Sequence, residues 1–139
     1  MRTIILLLAL LISACAETDK APVVATDLMI TQPMPGKTMR AAYLALTNNT
    51  DEAIRITRVS SDAFAAVQMH ETTVENGIAR MRALPQLDIP AGGTVRLERG
   101  GKHLMLMRPT GAAESLTLQF FAGDRLLLEV SAPLAPGTN

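Results

Sequence analysis

Aromatic residues, cysteine and histidine are scarce in this chain of 139 residues, which has no tryptophan, one tyrosine, three phenylalanines, one cysteine and two histidines. A single cysteine excludes a disulfide within the chain, so the fold depends on a core of aliphatic side chains. The chain also has no excess of positive or negative charge, because 13 Lys and Arg residues balance 13 Asp and Glu residues. We therefore expect no nucleic-acid partner for this chain.

The first residues have the pattern of an export signal. Arg2 precedes an apolar run from Ile4 to Ile12 that is too short to remain in a bilayer as a spanning helix, so we assign residues 1–14 to a signal peptide. The tetrapeptide Ile12-Ser13-Ala14-Cys15 resembles a bacterial lipobox, in which Cys15 is lipidated and becomes the new first residue. The alternative is ordinary signal-peptidase cleavage after the small-x-small pattern of residues 14–16, which would release a soluble protein that begins at Glu17.

The place of the only cysteine favours the lipoprotein, since a lone thiol without a purpose is unusual in an exported protein. We expect residues 15–22 to be the lipidated cysteine and a polar tether. The protein is then exported, lies at the periplasmic face and is anchored to the membrane by lipid.

Residues 23–133 show short strand patterns separated by turn signals, and no window has a helical stripe with caps. This predicts one all-β domain, an antiparallel β-sandwich or barrel of about eight or nine strands, followed by a C-terminal tail over residues 134–139. Residues 85–93 are predicted to be a loop. The predicted strands cover Val23–Thr31, Met39–Thr47, Glu52–Ser60, Phe64–Glu71, Gly77–Leu84, Thr94–Arg99, Gly100–Pro109, Ser115–Phe121 and Arg125–Ser131.

The stretch Gly100–Pro109 has an unusual strand face. Because side chains alternate along a strand, Leu104 and Leu106 share one face, while His103, Met105 and Met107 share the other. The leucine face is typical of a core. An imidazole beside thioethers is instead a set of neutral, soft to borderline ligands, which suits a monovalent soft metal such as Cu(I).

The second histidine, His70, precedes the dipeptide Asn76-Gly77, a strong hairpin signal, and Met81 lies on the returning strand. Such a hairpin makes His70 and Met81 cross-strand or diagonal neighbours, so these two side chains and His103 and Met105 can meet at one rim of a sandwich. Without a thiolate the set cannot form a blue-copper electron-transfer centre.

Packing is the competing interpretation of the methionines, since methionine commonly fills gaps in a core. We assign Met29, Met34 and Met39 to packing because no histidine lies near them in sequence, and Met69 to the core because it faces away from His70. Met107 shares the face of Met105 but is one step farther along, so we treat it as a neighbour of the site.

The spacing His-x10-Met-x21-His-x-Met, formed by His70, Met81, His103 and Met105, resembles the periplasmic copper chaperone family called PCu(A)C. Three flanking segments resemble that family as well, and the similarity runs from about Asp27 to Val130; the segments cover residues 41–48, 89–95 and 100–107. The resemblance implies a cupredoxin-like β-sandwich that binds Cu(I) at a partly exposed site. It also implies delivery of copper to cytochrome c oxidase assembly, often alongside a Sco-type thiol protein.

We therefore predict an exported, monomeric Cu(I) metallochaperone that passes copper by ligand exchange to the copper-bearing subunit of cytochrome c oxidase or to a Sco-type thiol protein. The alternatives are a β-sandwich that acts as an interaction or structural module, and a periplasmic protein of copper storage or resistance. We do not expect an enzyme, because neither histidine lies near a serine or aspartate motif that would form a nucleophile and base.

Overall fold

The computed structural model describes residues 20–134, which form eleven β-strands. The predicted signal peptide and Cys15 lie outside the described residues, as does the tail after Leu134. In the described part of the chain no helix is long and apolar enough to cross a membrane. The strands are β1 (Val23–Ile30), β2 (Arg40–Asn48), β3 (Ile54–Ile56), β4 (Arg58–Ser61), β5 (Phe64–Glu75), β6 (Ile78–Leu84), β7 (Leu87–Ile89), β8 (Thr94–Leu97), β9 (Lys102–Pro109), β10 (Ser115–Ala122) and β11 (Arg125–Pro133).

All pairings between these strands are antiparallel. The largest sheet has the order β1-β2-β9-β5-β6, and β8 pairs with the end of β2 that β9 leaves free. A second sheet has the order β11-β10-β4, and β3 pairs with β7 in a two-stranded sheet. The predicted all-β antiparallel sandwich is confirmed, and it has more strands than predicted.

The core lies between the large sheet and the two smaller ones. Leu104 and Leu106 of β9 are fully buried, as are Leu118 and Phe120 of β10. Burying one such side chain completely contributes about 1.5–3 kcal/mol. The face of the large sheet turned away from this core, which we call the outer face, is therefore defined on β9 by His103, Met105 and Met107, in agreement with the alternation in the sequence.

The stretch Glu52–Ser60 forms two strands where the sequence predicts one. The chain breaks at Thr57, whose backbone N–H donates to the carbonyl oxygen of Phe121 at 2.9 Å. Ile56 precedes the break and is buried, and Val59 after it is also buried, whereas an unbroken alternation would place them on opposite faces. The break therefore lets both side chains reach the core.

The predicted loop over residues 85–93 contains β7, so that part of the prediction is wrong. Leu87 and Ile89 of β7 are buried and pair with Ile56 and Ile54 of β3. The three residues of β7 are too few for a clear periodic pattern in the sequence, and the strand forms because β3 offers a partner. The hairpin predicted at Asn76-Gly77 is confirmed: β5 pairs with β6, and both turn residues have positive φ, at 53° and 78°, as the turn type favoured by Asn-Gly requires.

The packing assignment of three methionines is wrong. Met29, Met34 and Met39 are 57%, 65% and 39% exposed, and none of them enters the core. Leucine, isoleucine, valine and phenylalanine fill the interior, so little space remains for methionine. Met69 is the exception, since it is 7% exposed and belongs to the core as expected.

Candidate metal centre

The four predicted ligands lie on three adjacent strands at one edge of the large sheet, in the order β9-β5-β6. His70 of β5 lies directly opposite His103 of β9. Met81 of β6 lies opposite Thr72, which places it diagonally beside His70. Paired residues share a face and residues two apart share a face, so His70, Met81, His103 and Met105 all lie on the outer face. We call these four residues the soft-ligand cluster.

His103 and Met81 are in direct contact, with Nε2 of the imidazole 3.2 Å from the thioether sulfur Sδ. The other ring nitrogen of His103, Nδ1, donates its proton to the carbonyl oxygen of Gly101 at 3.1 Å. A neutral imidazole carries one proton, so this bond leaves Nε2 with a free lone pair. A nitrogen lone pair and a sulfur lone pair are therefore held next to each other, as two ligands of one soft ion require.

His70 faces His103 edge-on, with 5.8 Å between the ring centroids and an interplanar angle of 82°. Its Nε2–H donates to Oε1 of Gln68 at 3.0 Å. Its Nδ1 is buried and has no hydrogen-bond partner within residues 20–134. A buried nitrogen without a partner is unusual in a protein, and a metal ion is one group that would satisfy it.

Burial lowers the pKa of His70, and the nearby imidazole of His103 lowers it further by electrostatic repulsion. The lowered pKa keeps His70 neutral under more acidic conditions than usual. Since a protonated imidazole cannot bind a metal, the environment of His70 favours the form that can act as a ligand.

Met105 lies on β9 two residues from His103 and directly opposite Gln68. It is half-buried, and no hydrogen bond among the described residues joins it to the other members of the cluster. Met107 is half-buried one step farther along, opposite Ala66. The structure thus brings His103 and Met81 into contact, places His70 across from them, and places Met105 on the same face.

Exposure differs sharply within the soft-ligand cluster. His103 is 7% exposed, whereas Met81 is 53% exposed and lies in the part of the β5–β6 hairpin that extends beyond the last β5–β9 pair, Glu71 with Lys102. One ligand is therefore fixed in the sheet and another is open to solvent. Such a site can hold an ion while a second molecule reaches it.

Two residues that the sequence did not single out border the cluster. Gln68 holds His70, as described above. The ring of Tyr43 on β2 lies 6.5 Å from that of His103, centroid to centroid, and the guanidinium carbon of Arg99 lies 5.4 Å from the centroid of Tyr43. The Gln68–His70 spacing of two residues on one strand is a local signal that could have revealed the first contact. The contact between Tyr43 and His103 depends on the pairing of β2 with β9, which no local pattern in the sequence indicates.

The opposite side of the same three strands is held by ion pairs. Glu71 lies opposite both Arg82 of β6 and Lys102 of β9, with oxygen to nitrogen distances of 2.7 Å and 3.1 Å. The hydrogen bond from Arg82, followed by that from Lys102, lowers the pKa of Glu71. Since residue 71 follows His70 directly, these contacts fix the register of the strands that carry the cluster.

The donor set discriminates between metals. Within the described residues no group of three or more His, Cys, Asp or Glu side chains is placed to hold a metal ion. The soft-ligand cluster consists of two imidazoles and two thioethers, all neutral, so it offers no charge to compensate a divalent ion. It fits Cu(I) better than Zn²⁺, Mg²⁺ or Ca²⁺, which prefer thiolate, carboxylate or carbonyl ligands alone or with imidazole.

Solved structures with the same fold include copper-binding domains. The Cu(I) form of DR1885 from Deinococcus radiodurans superposes with a TM-score of 0.62 and is 31% identical, covering 86% of this chain and 81% of DR1885. The copper-bound PCuAC domain of PmoF2 superposes with a TM-score of 0.61 at 20% identity, covering 85% of this chain and 94% of that domain. The cupredoxin-like sandwich implied by the sequence resemblance is the fold of these domains.

Two proteins are similar to this chain in sequence over most of its length. A protein of Leifsonia xyli subsp. xyli named "Putative lipoprotein Lxx21020" is 34% identical over 110 residues, 75% of this chain. "Uncharacterized protein RP573" of Rickettsia prowazekii is 25% identical over 99 residues, 68% of this chain. The matches span 66% and 55% of the length of those two relatives. Residues 23–134 match the family described as "Putative lipoprotein LpqE-like", and the chain belongs to that family.

Proposed function

We propose that this protein is an exported Cu(I)-binding metallochaperone and that His70, Met81, His103 and Met105 are its copper ligands. The observation that carries the proposal is the 3.2 Å contact between Nε2 of His103 and Sδ of Met81, with His70 directly opposite on the neighbouring strand. Two different soft donors from separate strands converge there, with no proton between them.

Cu(I) is the expected oxidation state because the four donors are neutral and two of them are thioethers. A monovalent ion leaves a single uncompensated charge, whereas Cu(II) would leave two. The Cu(I) form of DR1885, which has the same fold and 31% identity, supports this choice. Thioethers also suit an oxidising compartment, where thiols are lost to disulfides.

Transfer would proceed by ligand exchange and not by catalysis. The half-exposed Met81 is the ligand that an incoming donor can displace first, and the buried His103 would leave last. Because thioethers bind without deprotonation, the exchange of Met81 needs no proton transfer. The acceptors we propose are the copper-bearing subunit of cytochrome c oxidase or a Sco-type thiol protein.

A lipid anchor at Cys15 would hold the protein at the periplasmic face of a membrane, close to a membrane-bound acceptor. The lipobox resemblance and the membership in a family described as lipoproteins support this placement. Mass spectrometry of the mature N-terminus tests it: a diacylglycerol mass on Cys15 is expected, and a soluble product that begins at Glu17 would contradict it.

A titration with Cu(I) in competition with a chelator tests the proposed function. We expect one Cu(I) per chain and a loss of affinity of at least about tenfold in His103→Ala. Tenfold is about the smallest loss typical of removing a residue that only supports a metal ligand, and removing the ligand itself should cost at least as much. Met34→Leu is the matched control, because Met34 is an exposed methionine outside the cluster. Equal affinity in His103→Ala and the parent would refute the assignment.

A further inference from the structure

Gln68 is an exposed glutamine whose side chain borders the soft-ligand cluster. It precedes His70 by two residues on β5 and lies directly opposite Met105 on β9. Its carboxamide oxygen Oε1 is 3.0 Å from Nε2 of His70, the one hydrogen bond that the Gln68 side chain makes within residues 20–134. This contact does nothing for the core, so its effect falls on the histidine.

The contact determines which nitrogen of His70 carries the proton. A carboxamide oxygen can only accept, so Nε2 must be the protonated nitrogen. The lone pair of the neutral ring then resides on Nδ1. That atom is buried and has no hydrogen-bond partner in the described part of the chain.

His103 has the reverse arrangement. Its Nδ1–H donates to the carbonyl oxygen of Gly101, so its lone pair is on Nε2, beside the sulfur of Met81. The two histidines therefore present different ring nitrogens, each fixed by a partner on the opposite nitrogen. An outer partner of this kind fixes the tautomer and orientation of a metal-binding imidazole.

We propose that Gln68 is a positioning residue that holds His70 in the Nε2–H tautomer, so that copper binds through Nδ1 of His70 and Nε2 of His103. This inference rests on the proposed function and adds the ligating atom of each histidine. The two imidazoles thus act as inequivalent ligands, one held by a side chain at the surface and the other by the backbone of the turn before β9.

Replacement of Gln68 separates this role from a structural one. Gln68→Leu removes the acceptor at an exposed position, so the thermal midpoint of the copper-free protein should stay unchanged while Cu(I) affinity falls about tenfold. Gln68→Glu keeps the acceptor and should retain or tighten binding. Gln119→Leu, which removes a glutamine of β10 that bonds Ser60 away from the cluster, is the matched control and should bind like the parent.

Nitrogen NMR of the ¹⁵N-labelled protein reads the tautomer directly, at a pH where both imidazoles are neutral. We expect the proton of His70 on Nε2 and that of His103 on Nδ1 without copper, and a Cu(I)-induced shift at Nδ1 of His70. A proton on Nδ1 of His70, or unchanged copper affinity in Gln68→Leu, overturns the inference. Failure of the copper proposal would instead appear as unchanged affinity in His103→Ala, with the copper-free tautomers still readable.

Discussion

Replacing Met81 by leucine removes one proposed ligand with little change to the fold. Leucine has nearly the volume and hydrophobicity of methionine but no sulfur donor. Met81 is 53% exposed and lies in the free part of a hairpin, so the free energy of unfolding of the copper-free protein should change by no more than about 0.5 kcal/mol. Copper affinity should fall by at least about tenfold, because Met81 directly contacts His103.

The expected magnitude follows from linkage. With free Cu(I) at 100 times the dissociation constant, binding stabilises the folded parent by about 2.7 kcal/mol. A tenfold weaker site at the same free Cu(I) gains only about 1.4 kcal/mol. For a domain of about 100 residues this difference of about 1.3 kcal/mol corresponds to about 5–10 °C in thermal midpoint. Thermal unfolding with and without Cu(I), in a chelator buffer that fixes free copper, measures it.

Met34→Leu is the matched control, since Met34 is 65% exposed and outside the soft-ligand cluster. It should show the parent's copper-dependent shift in thermal midpoint. Equal copper-dependent shifts in Met81→Leu and the parent would refute the reasoning, and so would a large loss of stability in copper-free Met81→Leu.

Three further predictions concern the core, a buried turn and pH. Leu104→Ala should lower the free energy of unfolding in urea by about 2–5 kcal/mol, because Leu104 is fully buried; a loss below 1 kcal/mol would contradict its place in the core. Asn48→Ala should cost about 1–3 kcal/mol in the same assay, because the buried Asn48 amide donates to three carbonyl oxygens; an unchanged midpoint would count against that network. The His70 imidazole of the copper-free protein should titrate below pH 6.5, the ordinary pKa of histidine, because burial lowers its pKa; an NMR titration with its midpoint at or above 6.5 would contradict this.

The same lowered pKa affects stability without copper. Between the unfolded pKa of about 6.5 and the lower folded value, the unfolded chain binds a proton at His70 that the folded chain does not. Stability is therefore complete above that window and falls as the pH decreases through it. A His70→Gln variant should lose this part of the pH dependence in urea unfolding.

Local patterns in the sequence predicted the parts of the fold that depend on one strand or one turn. The alternation around Leu104 and Leu106 predicted the buried face of β9, and Asn76-Gly77 predicted the turn between β5 and β6. Both signals are complete within ten residues. The sequence did not predict the strand break at Thr57 or the strand β7. Both arise from partners distant in sequence, the break from Phe121 and β7 from β3.

The same limit applies to the candidate site. Spacing across a hairpin indicated that His70 and Met81 are neighbours, since β5 and β6 are consecutive. That His103 lies opposite His70 depends on β9 pairing with β5 across an intervening stretch of over thirty residues, and no spacing rule gives that register. The contact between the rings of Tyr43 and His103 likewise depends on a pairing of strands distant in sequence, that of β2 with β9. Met29 was assigned to packing because no histidine lies near it in sequence, but it is exposed because other side chains fill the core.

X-ray absorption at the copper edge of the Cu(I)-loaded protein tests the central claim most directly, because it reports the atoms bound to the metal. The proposal predicts a Cu(I) edge with both nitrogen and sulfur neighbours, and a loss of sulfur scattering when Met81 and Met105 are both replaced by leucine. A spectrum with only nitrogen and oxygen neighbours, or one unchanged in the double variant, would contradict the claim that the soft-ligand cluster is the copper site.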